Sequence, residues 1–454
     1  MKAVLAAGSL AVVVSVILLS PSNAPAALVL CALLSAAVLA FIRAAGEERQ
    51  FLTQLFAAGL LLRLLVGALI HNLNLETFFG GDAYTYDILG RLIVQVWQGD
   101  LMWHQFEGMM GPFLSRNWGM IYVFGVIYAA FGRNMLAVQA FSAVLGAATA
   151  PIIFLCARHI FQNLRVARLA AYSVAFFPSL VLWSAQGLKD GPLVFLLAVC
   201  VLLTLRLARK FDVRYLALLA AALFGIFTLR FYVFYMMVAA IVGSFALGLG
   251  PVSAKSLVRQ FVVVVVVGLA LTQLGVLRSA ETQFEAYGNL EAIQRSRADL
   301  AKSAESGFGK DVDVSTASGA LTAIPLGMLY LLFAPFPWQL ASLRQLITLP
   351  EMLVWWGSFP LLVTGLWFTL KHRMRHALPI LIFTTMLTLA YSVFQGNVGT
   401  AYRQRSQLLI FYFIFASVGY VLVKERKENK QAQAQQAALA ARAAPAWALV
   451  PAGA

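Results

Sequence analysis

Charge is what this chain of 454 residues has least of: 12% of them are Asp, Glu, Lys or Arg, where a soluble globular chain carries roughly a quarter. That shortage excludes a soluble enzyme, because too little polar surface remains to keep one in water. Cysteine is nearly absent as well. Cys31, Cys156 and Cys200 all fall inside apolar runs, which excludes a disulfide framework or a thiolate metal cluster and leaves them as small core residues. Acids are scarcer than bases, 19 against 34, for a net charge of +15. Such an excess can mark a nucleic-acid binder. Here the bases sit in short loops between apolar runs, the pattern that orients a chain in a membrane, so no nucleic-acid partner is expected.

What is abundant is hydrocarbon. Sixty-one per cent of the residues are hydrophobic and the mean hydropathy is +0.81. Apolar runs of about 17 to 25 residues, enough to cross a hydrocarbon layer of about 30 Å, recur along the whole length. Lipid cannot hydrogen-bond a backbone, so these runs must be helices. The fold class predicted is an all-α polytopic membrane protein.

Placing the basic loops on one side, the cytoplasmic one, accounts for twenty of the 34 Lys and Arg. That assignment gives twelve crossings with both termini inside: 3–20, 26–42, 51–71, 135–156, 168–186, 191–207, 215–229, 232–249, 260–277, 351–370, 377–394 and 407–423. Two further apolar stretches, 113–131 and 320–336, then read as juxtamembrane or re-entrant elements of the outer leaflet, with a pair of extra crossings as the alternative. Lys2, an apolar run and "SPSNAPAA" resemble a signal peptide. A second apolar run, from Ala26 to Ile42, begins at once, so an uncleaved helical hairpin in the plasma membrane is expected. Residues 1–430 form one transmembrane domain, with outer segments at 72–134 and 278–350, and 431–454 read as a disordered cytoplasmic tail or frayed helix.

The outer side then holds the polar groups that orientation does not explain. "FFGGDAYTYD" places Asp82 after Gly80 and Gly81, and "DAYTYDILGRLIVQVWQG" has the spacing of an amphipathic helix on the membrane surface. Asp82 falls at its N-terminus, where a carboxylate is favoured and where capping alone is an equal explanation. Asp190 occupies a similar place in "LKDGP". Arg63 and Arg230 lie in apolar runs, and Arg403 and Arg405 flank the last helix. Arginine in a bilayer normally faces a cavity or a partner, and its planar fork suits phosphate oxygens. Carboxylates and arginines on one face describe a site for a lipid-linked phosphate beside a general base. The candidates are Asp82 and Asp190 as catalytic acids, with Arg63, Tyr84, Tyr86, Asp87, Lys189, Arg230, Arg403 and Arg405 as substrate-binding residues. Arg63 as a snorkelling or paired group, and Arg403 and Arg405 as interfacial anchors, are the plainer alternatives. His71, His104 and Glu107 have no specific metal-ligand spacing, and a solvated loop is the better reading. The helix over "EAIQRSRADLAKSAE" is expected to be exposed.

From Arg63 to Ala198 the sequence resembles the GT-C superfamily of membrane glycosyltransferases, most closely the glycosyltransferase family 39 and protein-mannosyltransferase-like group. The likeness is carried by "LLLRL", "GDAYTYDILGRLI", "IYVFGVIYAAFGRNMLAVQAFSAVLGAATAPIIFLCARHIF" and "RVARLAAYSVAFFPSLVLWSAQGLKDGPLVFLLA", with "GTAYRQRSQLLIFYFIFAS" resembling the arginine-bearing last helix. The resemblance implies inverting transfer of a sugar from a polyprenyl-phosphate donor to a glycan, lipid or protein acceptor, outside the cytoplasm. It implies Asp82 as base, Asp190 as a second outer acid, and Arg403 and Arg405 on the phosphate. Many relatives carry an Asp-Glu pair where this chain has Asp82-Ala83, with Asp87 or Glu76 as substitutes. No cofactor is assigned, and room is left for a divalent metal. The rival expectations are a polysaccharide polymerase or O-antigen ligase and, in another class, a lipid or solute transporter.

Overall fold

The computed structural model describes residues 2–46, 48–79, 81–110, 118–249, 254–273, 275–276, 280, 283, 288–302, 306–340 and 342–443. Parts of the expected segments 113–131 and 278–350, and residues 444–454 of the expected tail, lie outside the described residues.

The chain opens with α1 (Lys2–Leu19), α2 (Ala24–Ala45) and α3 (Arg49–Asn72). The first outer segment holds α4 (Glu76–Phe79), α5 (Asp82–Gln98), α6 (Trp103–Met110) and α7 (Gly119–Phe131). The central helices are α8 (Met135–Phe161), α9 (Leu164–Phe176), α10 (Pro178–Ser184), α11 (Asp190–Arg209), α12 (Val213–Leu229), α13 (Phe231–Ala246) and α14 (Ala254–Gln273). The second outer segment carries α15 (Leu290–Lys302) and α16 (Ala317–Phe333), and the chain finishes with α17 (Leu343–His372), α18 (Met374–Phe394), α19 (Val398–Gln404) and α20 (Ser406–Ala443). The only non-helical pairing among the described residues is a single antiparallel bridge between Gly307 and Asn397.

Polar residues start several of these helices by accepting from the first unpaired backbone donors. Asn134 accepts from the Ala137 amide at 3.0 Å, Asn163 from Val166 at 3.2 Å and Asp212 from Arg214 at 2.9 Å. Helix α8 is the axis of the bundle. Its most apolar window is 89% buried, and α2, α3, α9 and α11 pack around it. The α17–α20 pair needs glycine to come together: a Cβ on Gly365 would lie 1.8 Å from the Phe415 carbonyl oxygen, and one on Gly419 2.0 Å from that of Leu361. Small residues commonly allow such backbone approach in membranes, where lipid supplies no hydrophobic drive for association.

Among the described residues, seven helices are long and apolar enough to span a membrane, or eight if one bent pair is a single span. The stretches Ala7–Leu19, Val213–Leu229, Phe231–Ala246 and Gln260–Leu269 are apolar but shorter. The helices therefore make a polytopic membrane protein without fixing twelve crossings. The predicted span 168–186 is in fact the bent pair, α9 and α10, meeting at 53°. Pro178 has no amide proton to continue the ladder. The elements expected at 113–131 and 320–336 are the helices Gly119–Phe131 and Ala317–Phe333.

The tail reads as disordered or as frayed helix, and α20 continues through its first residues to Ala443; its Ala- and Gln-rich sequence has high helix propensity and extends a helix already nucleated upstream. One expectation needs correction. Helix α15 reads as exposed, but Arg297 and Ala301 are each 1% exposed, because that face rests on the chain before Arg403.

The loops at one end are joined by Arg165–Glu428 and Arg168–Glu48 ion pairs at 2.8 and 2.5 Å. Helix α11 ends beside these loops, where Arg209 donates to the His159 oxygen at 3.1 Å, and starts at the opposite end with Asp190.

Candidate functional site

Two helix starts and the end of a third, short helix meet at that opposite end. Asp82 is the first residue of α5; Gly81 takes the cap position, so the Asp82 carboxylate is free of capping and accepts from Arg403 NH1 at 2.6 Å. Asp190 is the first residue of α11. Its Oδ2 accepts from Arg403 Nε at 2.7 Å, and its Oδ1 from Arg230 NH2 at 3.2 Å. Arg403 lies near the end of α19, a short helix capped by Asn397 through the Gly399 amide at 2.7 Å. One guanidinium thus joins two carboxylates of opposite setting: the Asp82 side chain is 52% exposed and that of Asp190 1%. The Arg403 plane also lies over Trp183, 5.7 Å from the ring centre.

Arg230 occupies the break between α12 and α13, with extended backbone. Its guanidinium donates to the Tyr232 hydroxyl at 2.8 Å. Asp82, Lys189, Arg230, Arg403, Arg344 and Glu351 are among the residues that line a cavity of about 1150 Å³. Leu62, Val66, Phe176, Pro178 and Val181 give the same cavity apolar lining. Asp190 sits behind this lining, screened by the two arginines it holds.

Other sequence candidates have structural work away from the cavity. Arg63 is buried against the α9–α10 break. Pro178 cannot donate to the Val174 carbonyl, and the Ser179 amide turns to Glu351 at 2.7 Å instead of to Ala175. Arg63 supplies what is missing, with NH1 on the Ala175 oxygen at 2.8 Å and NH2 on that of Val174 at 3.4 Å, and its Nε on Ser184 at 2.8 Å. It caps a broken helix inside a membrane, where an unpaired carbonyl is costly. Arg405 is likewise buried, donating to the Leu331 oxygen at 2.6 Å and to the Ala334 oxygen. Asp87 accepts from the Tyr128 hydroxyl at 2.6 Å and from Arg133, tying α5 to the turn after α7. Tyr86 is buried against Phe124, while Tyr84 is partly exposed with its hydroxyl 3.5 Å from Glu76. Replacing Arg405 by Ala is expected to lower stability by about 3 kcal/mol, since buried carbonyls lose their donors. Thermal unfolding in detergent measures this, with turnover per folded molecule retained.

Sequence reasoning missed Glu351, Tyr402, Trp183 and the place of Arg344. Glu351 Oε2 accepts from the Tyr402 hydroxyl at 2.9 Å as well as from Ser179, fastening α17 to α10 and α19. A lone acid in the apolar run "LPEMLVWW" was the available signal. Arg344 lies over Phe78 at 5.2 Å. No three His, Cys, Asp or Glu among the described residues could hold a metal ion, and the guanidinium of Arg403 stands between the two acids, so the residues do not fit a divalent ion there.

The family model for dolichyl-phosphate-mannose-protein mannosyltransferase matches residues 118–275. This stretch includes Asp190 and Arg230 and stops short of Asp82 on one side and Arg403 on the other. The match supports a membrane glycosyltransferase of the GT-C superfamily, the class that the sequence motifs resemble. Among solved structures, the crystal structure of the Archaeoglobus fulgidus oligosaccharyltransferase, a complex with Zn and sulfate, is similar at 16% identity and a TM-score of 0.40, covering 72% of this chain and 43% of that one. The chain therefore spans less than half the length of that relative. No curated protein matches the sequence.

Proposed function

We propose that this protein moves a sugar from a polyprenyl-phosphate carrier to an acceptor hydroxyl, with inversion, on the extracytoplasmic side of the plasma membrane. The observation that carries the reading is the bridge of Arg403 between Asp82 and Asp190 on the wall of a cavity lined by both charged and apolar side chains. A lipid carrier needs both kinds of lining at once, hydrocarbon for its tail and cations for its phosphate. The side follows from charge: the cavity lies at the end away from the basic loops, which the positive-inside rule keeps in the cytoplasm. Twelve crossings with both termini inside complete that topology.

The acceptor oxygen attacks the anomeric carbon from the face opposite the phosphate. The bond from that carbon to the phosphate oxygen breaks, and its electron pair leaves with the lipid phosphate. The acceptor's proton passes to Asp82. The phosphate gains a charge, which Arg403, Arg230 and Lys189 are placed to stabilise. In the empty site Asp82 and Asp190 share Arg403. A donor phosphate competes for that fork and leaves Asp82 Oδ2 free to accept the acceptor's proton, so the base is unmasked by its own donor. Asp190, fully enclosed, keeps Arg230 and Arg403 aimed. Arg344, which also lines the cavity, is a further cation for the phosphate.

The test is a purified protein in nanodiscs, given polyprenyl-phosphate hexoses and pentoses with alcohol, glycan or peptide acceptors. Release of polyprenyl phosphate together with a glycosylated acceptor is expected. Binding or movement of the donor with its sugar–phosphate bond intact would sink the proposal in favour of transport. One pH effect follows. Burial and the charge of Arg230 push the Lys189 ammonium down to about 7. Lys189 is charged below that pH and loses its proton above it, so donor KM is expected to rise between roughly pH 6 and 8. Lys189→Met should flatten that rise.

A further inference from the structure

Arg403 stands on a short helix that follows the segment Val393 to Asn397. That segment is held from outside, by the second outer segment. Arg297 of α15 donates through NH1 to the Val393 oxygen at 3.0 Å and to the Gln395 oxygen at 2.7 Å. Beyond α15 the chain adds one rung of β-structure to the same stretch: the Phe308 amide donates to the Gly396 oxygen at 2.8 Å, and the Val398 amide to the Ser306 oxygen at 3.1 Å. The Ser306 hydroxyl adds a bond to Asn397 Oδ1 at 3.0 Å, the atom that caps α19.

The join is built closely around the guanidinium. Arg297 lies over Phe308 at 5.7 Å, and Phe308 stacks on Tyr330 at 4.1 Å. Gly309 has φ +58, and a Cβ there would lie 2.6 Å from Arg297 NH2. A Cβ on Gly396 would lie 2.5 Å from the Arg297 carbonyl oxygen. Arg297 is 1% exposed and has no acidic partner among the described residues; its NH1 donates to two backbone carbonyls. Burying an arginine costs free energy, and the groups it serves lie within ten residues of Arg403. Ser306, Asn397, Val398 and Thr400 all line the cavity, so the rung is part of its wall.

From this geometry we infer that Arg297 is a positioning residue for the transfer reaction, and that the bridge between Ser306–Phe308 and Gly396–Val398 sets Arg403 between the two aspartates. The outer segment is a brace for the phosphate-holding arginine. The inference rests on the transferase reading, but the brace itself can be measured without turnover.

Hydrogen exchange of the full chain in nanodiscs, read by mass spectrometry, is the first measurement. In Arg297→Ala, exchange over residues 396–404 is expected to quicken about tenfold, while the α9 peptide at the basic end is unchanged. In the transfer assay kcat is expected to fall about a hundredfold, the scale of a misplacement of about 1 Å, with donor KM changed less than about threefold. Added guanidinium should restore part of kcat. Arg297→Lys, which keeps the charge and loses the fork, should show the same split to a smaller degree and guards against a variant that fails to fold. Unchanged exchange over 396–404 overturns the brace, and so does a fall in activity that follows the folded fraction alone. A wild-type chain that transfers no sugar overturns the functional reading instead, and the exchange result then still decides whether Arg297 holds the rung.

Discussion

Asp82→Asn is expected to lower kcat by a factor of about 10² to 10⁴, the range for removing a general base, while leaving thermal stability close to wild type. The stability half follows from exposure. The Asp82 side chain is 52% exposed and makes one ion pair, with Arg403, and exposed pairs contribute about 0–1 kcal/mol. The activity half follows from position, since Asp82 is the only one of the two acids on Arg403 that also lines the cavity. Asn keeps the shape and can still accept from Arg403, but it cannot take a proton. Steady-state release of polyprenyl phosphate measures the first effect and thermal unfolding the second. Activity near wild type in Asp82→Asn would remove the base from the mechanism and return the polymerase or ligase alternative, in which arginines do the work.

Arg403→Lys is the second large effect. Lysine keeps one positive charge but cannot reach Asp82 and Asp190 together, nor present two parallel donors to a phosphate. A loss of about 10² to 10³ in kcat is expected, the scale found when a donor that meets developing charge is removed. Stability should fall as well, because Asp190 is enclosed and keeps only Arg230, and removing one partner of a buried pair leaves a charge poorly compensated. The two variants therefore separate by their melting curves: Asp82→Asn loses rate alone, and Arg403→Lys loses rate and stability. Equal, wild-type melting in both would mean that Asp190 does not depend on Arg403.

The fold class was legible because periodic signals are local: apolar runs of membrane length and loops rich in bases stand in the sequence as they stand in the structure. The broken helix was half legible. Phe177-Pro178 announces a break, but the groups that repair it, Arg63 and Glu351, lie more than a hundred residues away in either direction, and nothing local pairs them. The last helix shows the limit most clearly. Arg403 and Arg405 are two residues apart, so on helical backbone their side chains leave about 200° apart and cannot share a face. The sequence offers both for the phosphate; the fold turns Arg403 to the cavity and closes Arg405 among the carbonyls of Leu331 and Ala334. Asp82 and Asp87 are separated in the same way on α5, one facing Arg403 and the other clasped by Tyr128 and Arg133. Charged residues in an apolar chain mark where polar work is done, but only packing says whether that work is chemistry or masonry.

The bend at Pro178 carries a mechanical consequence. A guanidinium stitches the carbonyl rim of the gap and a carboxylate stitches the amide rim, each matched to the dipole end it meets. A kink sewn on both lips does not work as a hinge. The apolar lining beside it, from Phe176, Pro178 and Val181, is thus held in a fixed shape.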